Sequence, residues 1–391
     1  MRIALVIERM NVLRGGREAS TAQIAAELVR RGHEVTVLCE EGDWSHTGVQ
    51  LVQVGDAGKP MRVQRVRSFT EGVRRVMDER DFDVTHAMLP VPGADVYQPR
   101  GGTVPAQRDA SFRRRGRLGR AFRKAVEPLN LHRAYMGKME RAVVEDSSVQ
   151  CLAVSEMVAE EFRHYYGRSD GVRTVYNAVD VPDPTDPRRD QWRAAVRQKL
   201  NVNESAVVFV TIATNLELKG VGEAISAFAE WFRSEKQGPD ARLVVVGRDS
   251  PELYVSWAER CNVSGRVVFV PPTDNVFPWY AGADACILLS WYDPCSRVVL
   301  EATRWGIPSI TTVYNGAGEI LSAGGGVVVP SPRDIDDVVR AMAELADDES
   351  RRRHADACRE MADKLTIERH VDELLEVYDQ SAAATRKATP R

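Results

Sequence analysis

Short apolar runs of strand length alternate with amphipathic helical stretches along nearly the whole chain, and the alternation breaks once, near the middle. Ile3–Ile7, Glu34–Leu38, Val49–Val54, Val84–Ala87 and Gln150–Val154 read as strands. Between the first two, Glu18–Arg31 places Ile24, Ala25, Leu28 and Val29 at helical spacing, and Gly32 fits a C-cap. Strands that alternate with helices build parallel sheets, because parallel neighbours need a long crossover connection. The break, Asn177–Arg189, is rich in Pro and Asp and reads as a linker. Beyond it the pattern restarts, with strands expected at Val207–Ala213, Arg242–Val246, Val267–Val270, Ala285–Leu289 and Gly326–Val329. Helices follow at roughly Pro332–Ala346, Ser350–Lys364 and Ile367–Ala382, then a polar tail expected to fray. The expected fold class is α/β, with two open-sheet domains at 1–180 and 181–366. Such sheets bind ligands in the crevice at the carboxyl ends of their strands.

Composition excludes several function classes. A chain of 391 residues with 43% hydrophobic and 28% charged residues suits two or three ordinary globular domains. A net charge of -3 gives no general mandate for nucleic acid. The cysteines Cys39, Cys151, Cys261, Cys286, Cys295 and Cys358 are scattered, without Cys-x-x-Cys pairs or zinc-like His spacing. Reduced thiols in a cytoplasmic setting are the expectation. The apolar run after Met1 is too short for a signal peptide, and no stretch approaches the ~18 residues needed to span a bilayer. Any membrane contact is therefore expected to be peripheral.

The segment Ser290-Trp-Tyr-Asp-Pro-Cys-Ser-Arg-Val-Val-Leu-Glu-Ala-Thr-Arg-Trp-Gly-Ile-Pro308 carries the most chemistry. Asp293 follows a strand, and a helix expected from about Ser296 carries Glu301 and stops at Gly306. Amides of Cys295, Ser296, Arg297 and Val298 would then form a helix N-terminus, which favours an anion. Two carboxylates for hydroxyls beside amides for a phosphate suit a nucleotide-sugar. The plainer reading is an ordinary βα unit with a solvated Asp and a buried Glu. Earlier in the chain, Gly15-Gly16 sits between the first strand and helix, where backbone can approach a ligand closely or simply turn. The Gly-x-Gly-x-x-Gly of a dinucleotide fold is absent. Lys219, before Gly220 in another strand-to-helix loop, can place an ammonium on a diphosphate or be a solvated surface residue. His86 ends a strand and is either a site residue or a packed or solvated histidine.

A strand, an acid, seven residues, a second acid, then Ala302 and Gly306-Ile-Pro308 resembles the donor-sugar signature of retaining glycosyltransferases of family 4. Gly15-Gly16, Lys219-Gly220 and Tyr176-Asn-Ala-Val-Asp180 match further landmarks of that family. The resemblance implies a GT-B fold, two Rossmann-like domains facing a cleft, with the last helix (about 367–382) returning to the first domain. It implies that Gly15 and Gly16 face the donor phosphates and the acceptor, and that Glu18 or Ser20 contacts the acceptor. Lys219 and Asp293 would act on the diphosphate and the sugar, with His86 near the sugar. Backbone at Val270 would read the base, and Glu301 the ribose. A nucleoside-diphosphate sugar, UDP-linked by preference, is then a substrate. No cofactor or metal is implied, and no Asp-x-Asp pair stands in a suitable context. Departures are Asp293, where Glu is usual, and Thr214, where the family commonly has Arg. A nucleotide-sugar epimerase or hydrolase of the same fold is one alternative, and a non-catalytic binding subunit is another.

From Arg113 to Arg141 there are ten Lys or Arg against Glu127 and Glu140. Leu118, Ala121, Phe122, Ala125 and Val126 form one helical stripe there, ended by Pro128. Such a helix meets an anionic membrane surface, an acidic acceptor, or packs on its own domain. In lipopolysaccharide-core glucosyltransferases, the subfamily resembled, this stretch is a basic membrane-contact region. The expected acceptor is a lipid-linked or saccharide molecule, on the inner face of the cytoplasmic membrane.

Overall fold

The computed structural model describes residues 1–12, 15–234 and 240–388, with side chains through 383. Arg14, the first residue of the expected glycine loop, lies outside the described residues. Two compact units are present: Met1–Ala178 together with the chain from Thr366 on, and Val179–Leu365.

The first unit holds a 7-stranded sheet in the spatial order Val49–Gln53, Glu34–Cys39, Arg2–Val6, Val84–Ala87, Val96–Tyr97, Gln150–Ala153, Val172–Thr174. Every neighbouring pair is parallel. The second unit repeats the plan with six strands, Val267–Val270, Ala241–Gly247, Val207–Ala213, Ala285–Leu288, Ser309–Thr312 and Gly326–Val329, again all parallel. In each sheet the earliest strand lies inside, and the order of strands reverses beside it. That reversal is the topological switch point, where the loops on either side diverge and leave a crevice.

Continuous apolar runs make these strands because both faces of a parallel sheet are covered by helices. Val207–Ala213 is buried almost throughout, and below it Phe209 meets Trp231 edge-on with ring centres 5.5 Å apart. In the first unit Leu5, Val37 and Leu28 share a core with Val371, Leu374 and Tyr378. The last helix, Ile367–Ala388, therefore completes the core of the N-terminal sheet.

One central strand is not legible as an apolar run. Ser309–Thr312 is Ser-Ile-Thr-Thr, yet all four residues are buried. Its two threonines are accommodated by hydrogen bonds: Thr311 Oγ1 donates to the Leu288 carbonyl at 2.8 Å and Thr312 Oγ1 to the Ser290 carbonyl at 2.6 Å. The very short strands Val96–Tyr97 and Val172–Thr174 likewise carry too few residues to show a period.

A buried polar cluster ties the last helix to the loops of the first sheet. Arg100 donates to Gln98 Oε1 at 3.0 Å, to Ser20 Oγ, and to Asn177 Oδ1 at 3.2 Å, and its second amino group meets His370 Nε2 at 2.9 Å. Next to it, His86 Nδ1 pairs with Tyr378 Oη at 2.6 Å, and both residues are fully buried. Burial, assisted by the Arg100 charge, lowers His86 from 6.5 to about 3. The unfolded chain therefore binds a proton between those values that the native state excludes, so stability rises with pH in that window and is lost as pH falls below 6.5. We expect His86 alone to remove about 2 kcal/mol of stability between neutrality and pH 5. Urea denaturation measures this: His86→Gln should flatten the pH dependence by about 1.4 kcal/mol per unit, and unchanged slopes would contradict a neutral, buried His86.

Candidate functional site

The switch point of the second sheet lies between Val207–Ala213 and Ala285–Leu288, and the loops leaving these strands carry Lys219 and Asp293. Gly220 makes their approach possible. It adopts φ +66, and a Cβ there would stand 2.2 Å from the Leu289 carbonyl oxygen. Trp291 N–H donates to the Leu218 carbonyl at 2.9 Å, so the loops are also joined through their backbones. The result is an ion pair between Lys219 Nζ and an Asp293 carboxylate oxygen, largely but not wholly shielded from solvent. The Arg that the family pattern would place at Thr214 is absent from this pair, and Thr214 itself is exposed.

A residue the sequence reading passed over clamps Asp293 from the other side. Asp293 N–H donates to the Tyr314 carbonyl at 2.8 Å, and Gly316 N–H returns to the Asp293 carbonyl at 2.9 Å. Between them Asn315, itself buried, accepts from the amides of Ser296 and Ala317, each at 3.1 Å, through Oδ1. Its Nδ2 donates to Thr311 Oγ1 at 2.9 Å. The available signal was the Asn-Gly turn after Thr312, hidden because the preceding strand was not recognised.

This clamp corrects the expected phosphate seat. The helix runs Arg297–Arg304, starting one residue later than anticipated. The Ser296 amide is already engaged by Asn315, and Cys295 and Ser296 are both buried. Any anion seat on this helix must therefore begin with Arg297 and Val298. Glu301, farther along, is held by the Tyr280 hydroxyl at 3.1 Å and by Arg297 at 3.5 Å. Burial raises its carboxyl above the usual range, while Arg297 and Tyr280 oppose the shift.

Val270 ends the edge strand of this sheet and borders a pocket of about 240 Å³ with Leu216, Gly247, Arg248 and Pro271. Gly247 keeps the pocket floor open to the neighbouring strand: a Cβ there would stand 2.3 Å from the Ala213 carbonyl oxygen. Asp249 fixes the rim by accepting from Leu216 N–H at 2.9 Å.

The remaining sequence candidates belong to the first unit. Gly15 precedes the helix Gly16–Arg30. The Glu18 carboxylate folds back toward it, with Oε2 3.3 Å from where a Cβ on Gly15 would stand. Glu18 is buried, with Arg17 at 3.9 Å, and Ser20 is occupied by Arg100. His86 is packed against Tyr378, not open to solvent, and its Nε2 has no hydrogen-bond partner among the described residues. The basic helix is Arg117–Val126, with no buried residue. Leu118 and Phe122 are 88% and 70% exposed, so its apolar stripe does not pack on the domain.

Two family models match this chain, Glycosyltransferase Family 4 over residues 14–182 and Glycosyl transferases group 1 over 193–382. The chain belongs to the family 4 glycosyltransferases. Among curated proteins, this glycosyltransferase is 24% identical to the lipopolysaccharide glucosyltransferase WaaG of Escherichia coli (strain K12), over 81% of this chain and 82% of that one. The crystal structure of WaaG, a glycosyltransferase involved in lipopolysaccharide biosynthesis, superposes with a TM-score of 0.79 at 21% identity, covering 96% of this chain and 99% of the other. Anabaena Alr3699/HepE in complex with UDP and glucose gives a TM-score of 0.71 at 17% identity, over 97% and 100%. The two Rossmann-like units are thus those of the GT-B fold.

In this glycosyltransferase Asn315 supports the site without a charge of its own. Asn315→Ala leaves the Ser296 and Ala317 amides without their acceptor, a cost of about 1–3 kcal/mol for each buried group left unsatisfied. The expected outcome is a lower urea midpoint and a lower melting temperature. A variant as stable as the parent would show that the clamp on Asp293 does not depend on Asn315.

Proposed function

We propose that this glycosyltransferase moves a hexose, with retention at the anomeric carbon, from a nucleoside-diphosphate sugar to a glycolipid or lipopolysaccharide-core-like acceptor. The donor is taken to be UDP-linked. The observation that carries the reading is the Lys219–Asp293 pair at the switch point, in the same unit as the Val270 pocket. A solved structure of a fold neighbour, Anabaena Alr3699/HepE, is in complex with UDP-glucose, which supports the choice of base.

In this reading the base enters the pocket at Val270 and Glu301 accepts from the ribose hydroxyls. The diphosphate meets Lys219 and the amides of Arg297 and Val298. Asp293 takes sugar hydroxyls on one side while its pairing with Lys219 orients the ammonium. The bond from the anomeric carbon to the phosphate oxygen breaks, and the acceptor oxygen bonds to the same face. Its proton passes to the departing diphosphate. Lys219 stabilises the charge that develops there, a kind of effect commonly worth a factor of about 10²–10³ in turnover. On the acceptor side, Gly15, Gly16 and Glu18 would face the incoming hydroxyl.

Substitution separates the two halves of the ion pair. Lys219→Ala should lower turnover by about 10²–10³ and weaken UDP binding, with some loss of stability because the shielded Asp293 carboxylate loses its partner. Asp293→Asn removes the carboxylate but leaves the ammonium unneutralised, so turnover should fall while UDP binding is retained or tightened. Calorimetric titration with UDP and initial rates on a donor–acceptor pair read both. Normal turnover in Lys219→Ala would overturn the assignment.

No helix among the described residues is long and apolar enough to cross a membrane. Contact with a bilayer would run through the exposed stripe of Leu118 and Phe122, framed by Arg117, Arg120 and Arg123. Each basic residue close to an anionic leaflet contributes about 1 kcal/mol. Arg113, Arg114, Arg115 and Arg117 changed to Gln should weaken binding to phosphatidylglycerol vesicles. Wild-type binding should fall with salt, leaving a salt-resistant part carried by the apolar stripe. A parent protein that ignores such vesicles at low salt would rule out the membrane contact.

A further inference from the structure

A cavity of about 1100 Å³ in the first unit is not needed by the donor chemistry. Its walls come from the helices Val104–Arg113, Arg117–Val126 and Leu131–Glu145, with Tyr165 and Tyr166 closing one side. A space of this size accommodates a small charged molecule, whereas a bilayer surface needs none.

The charges around it are unevenly matched. Arg108, Arg133 and Arg141 are paired, with Asp109, Glu127 and Glu145 respectively. Arg120, Lys124 and Lys138 line the same cavity and form no ion pair among the described residues. Arg120 and Lys124 stand four residues apart on one helix, so their like charges repel each other by a few tenths of a kcal/mol. An anion between them would relieve that repulsion. Lys124 lies 5.9 Å from the centre of the Phe112 ring, which keeps its ammonium at the cavity wall. Glu127 uses Oε1 for Arg133 at 2.7 Å, while its buried Oε2 has no hydrogen-bond partner. The cavity therefore offers cations for anionic oxygens and one free acceptor for a hydroxyl.

Its walls are held in place from beneath. Glu140 is fully buried and accepts from Tyr97 Oη at 2.5 Å, from Tyr166 Oη, and from Val104 N–H at 2.7 Å. One carboxylate thus fixes both the start of a wall helix and a wall tyrosine. Such preorganisation lowers the ordering cost of binding.

We propose that this cavity binds a phosphorylated saccharide, its phosphoryl groups against Arg120, Lys124 and Lys138 and a hydroxyl donating to Glu127 Oε2. Assigning that saccharide to the acceptor rests on the proposed transferase reading. A lipid-linked acceptor would place its phosphorylated head in the cavity, and the bilayer would meet Leu118 and Phe122, which do not line it. The two pairs 118/122 and 120/124 are each spaced by one helical turn and offset from one another, so one helix serves both surfaces.

The test uses the full chain with Lys219→Ala, which blinds the diphosphate end of the donor site. Glucosamine 1,6-bisphosphate is titrated calorimetrically at low salt. Saturable one-to-one binding is expected, weakened at least tenfold by Arg120→Gln, Lys124→Gln and Lys138→Gln together. Arg115→Gln with Arg117→Gln, outside the cavity, should change it less than twofold, and unphosphorylated glucosamine should not bind. Circular dichroism melting should be unaltered, because the removed charges have no ionic partners. Absence of saturable binding, or equal weakening by both sets of substitutions, would overturn the site. Phosphatidylglycerol vesicles supply the other arm: displacement of the bound bisphosphate by vesicles would assign the cavity to a bilayer headgroup and overturn the saccharide assignment. Simultaneous binding of both supports it. None of these readouts uses turnover, so a failure here leaves the transferase reading standing, and an inactive enzyme would leave the cavity result standing.

Discussion

The contact on which the donor-side chemistry depends is the close approach of Gly220 to the backbone at Leu289. Two loops leave adjacent parallel strands at the switch point, and a side chain between them would force them apart. Glycine at position 220 removes that obstacle and also tolerates φ +66. A side chain there costs about 1–2 kcal/mol for the left-handed conformation alone, before any collision is counted. Once the loops touch, Lys219 and Asp293 meet without further help. Asn315 then holds the far side of Asp293, and Glu301 is set by Tyr280 and Arg297. The charged groups are thus arranged by backbone contacts, which change little when a ligand binds, and not by flexible side chains alone.

The same strand order recurs in both units, but the two switch points are furnished differently. In the second unit it carries an ion pair whose cation suits a diphosphate. In the first, the neighbourhood is a buried hydrogen-bonded cluster centred on Arg100, with His86 and Tyr378 beside it. That cluster recruits the last helix, so a segment at the far end of the sequence becomes part of the N-terminal core. Glu140 anchors the start of the helix Val104–Arg113, while the basic helix Arg117–Val126 is left without a buried residue. The core therefore presents an exposed surface that is both basic and apolar.

Much of the fold was legible because parallel strands covered on both faces must be continuously apolar. Val207–Ala213, Val267–Val270 and Gly326–Val329 were read end to end for that reason. Ser309–Thr312 was not, since its threonine hydroxyls are satisfied by neighbouring carbonyls, a solution invisible without the partner strand. Missing that strand also concealed Asn315 and led to Ser296 being treated as an open amide. Lys219 and Asp293 could each be named from the chain, but their pairing depends on strand order. Arg100 was out of reach for a similar reason: its partners Ser20, Asn177 and His370 are distant in sequence. The charge of the 113–141 segment was plain, whereas the cavity it encloses required the helices to be placed.

The central claim is that a nucleoside diphosphate occupies the carboxyl end of the second sheet. Methyl-labelled protein titrated with UDP tests this directly by nuclear magnetic resonance. The account predicts saturable shifts concentrated at Leu216, Leu218, Val270 and Val298, with Val37 and Val371 in the first unit's core unmoved. Shifts absent from those four residues, or centred on the first unit's core, would contradict it.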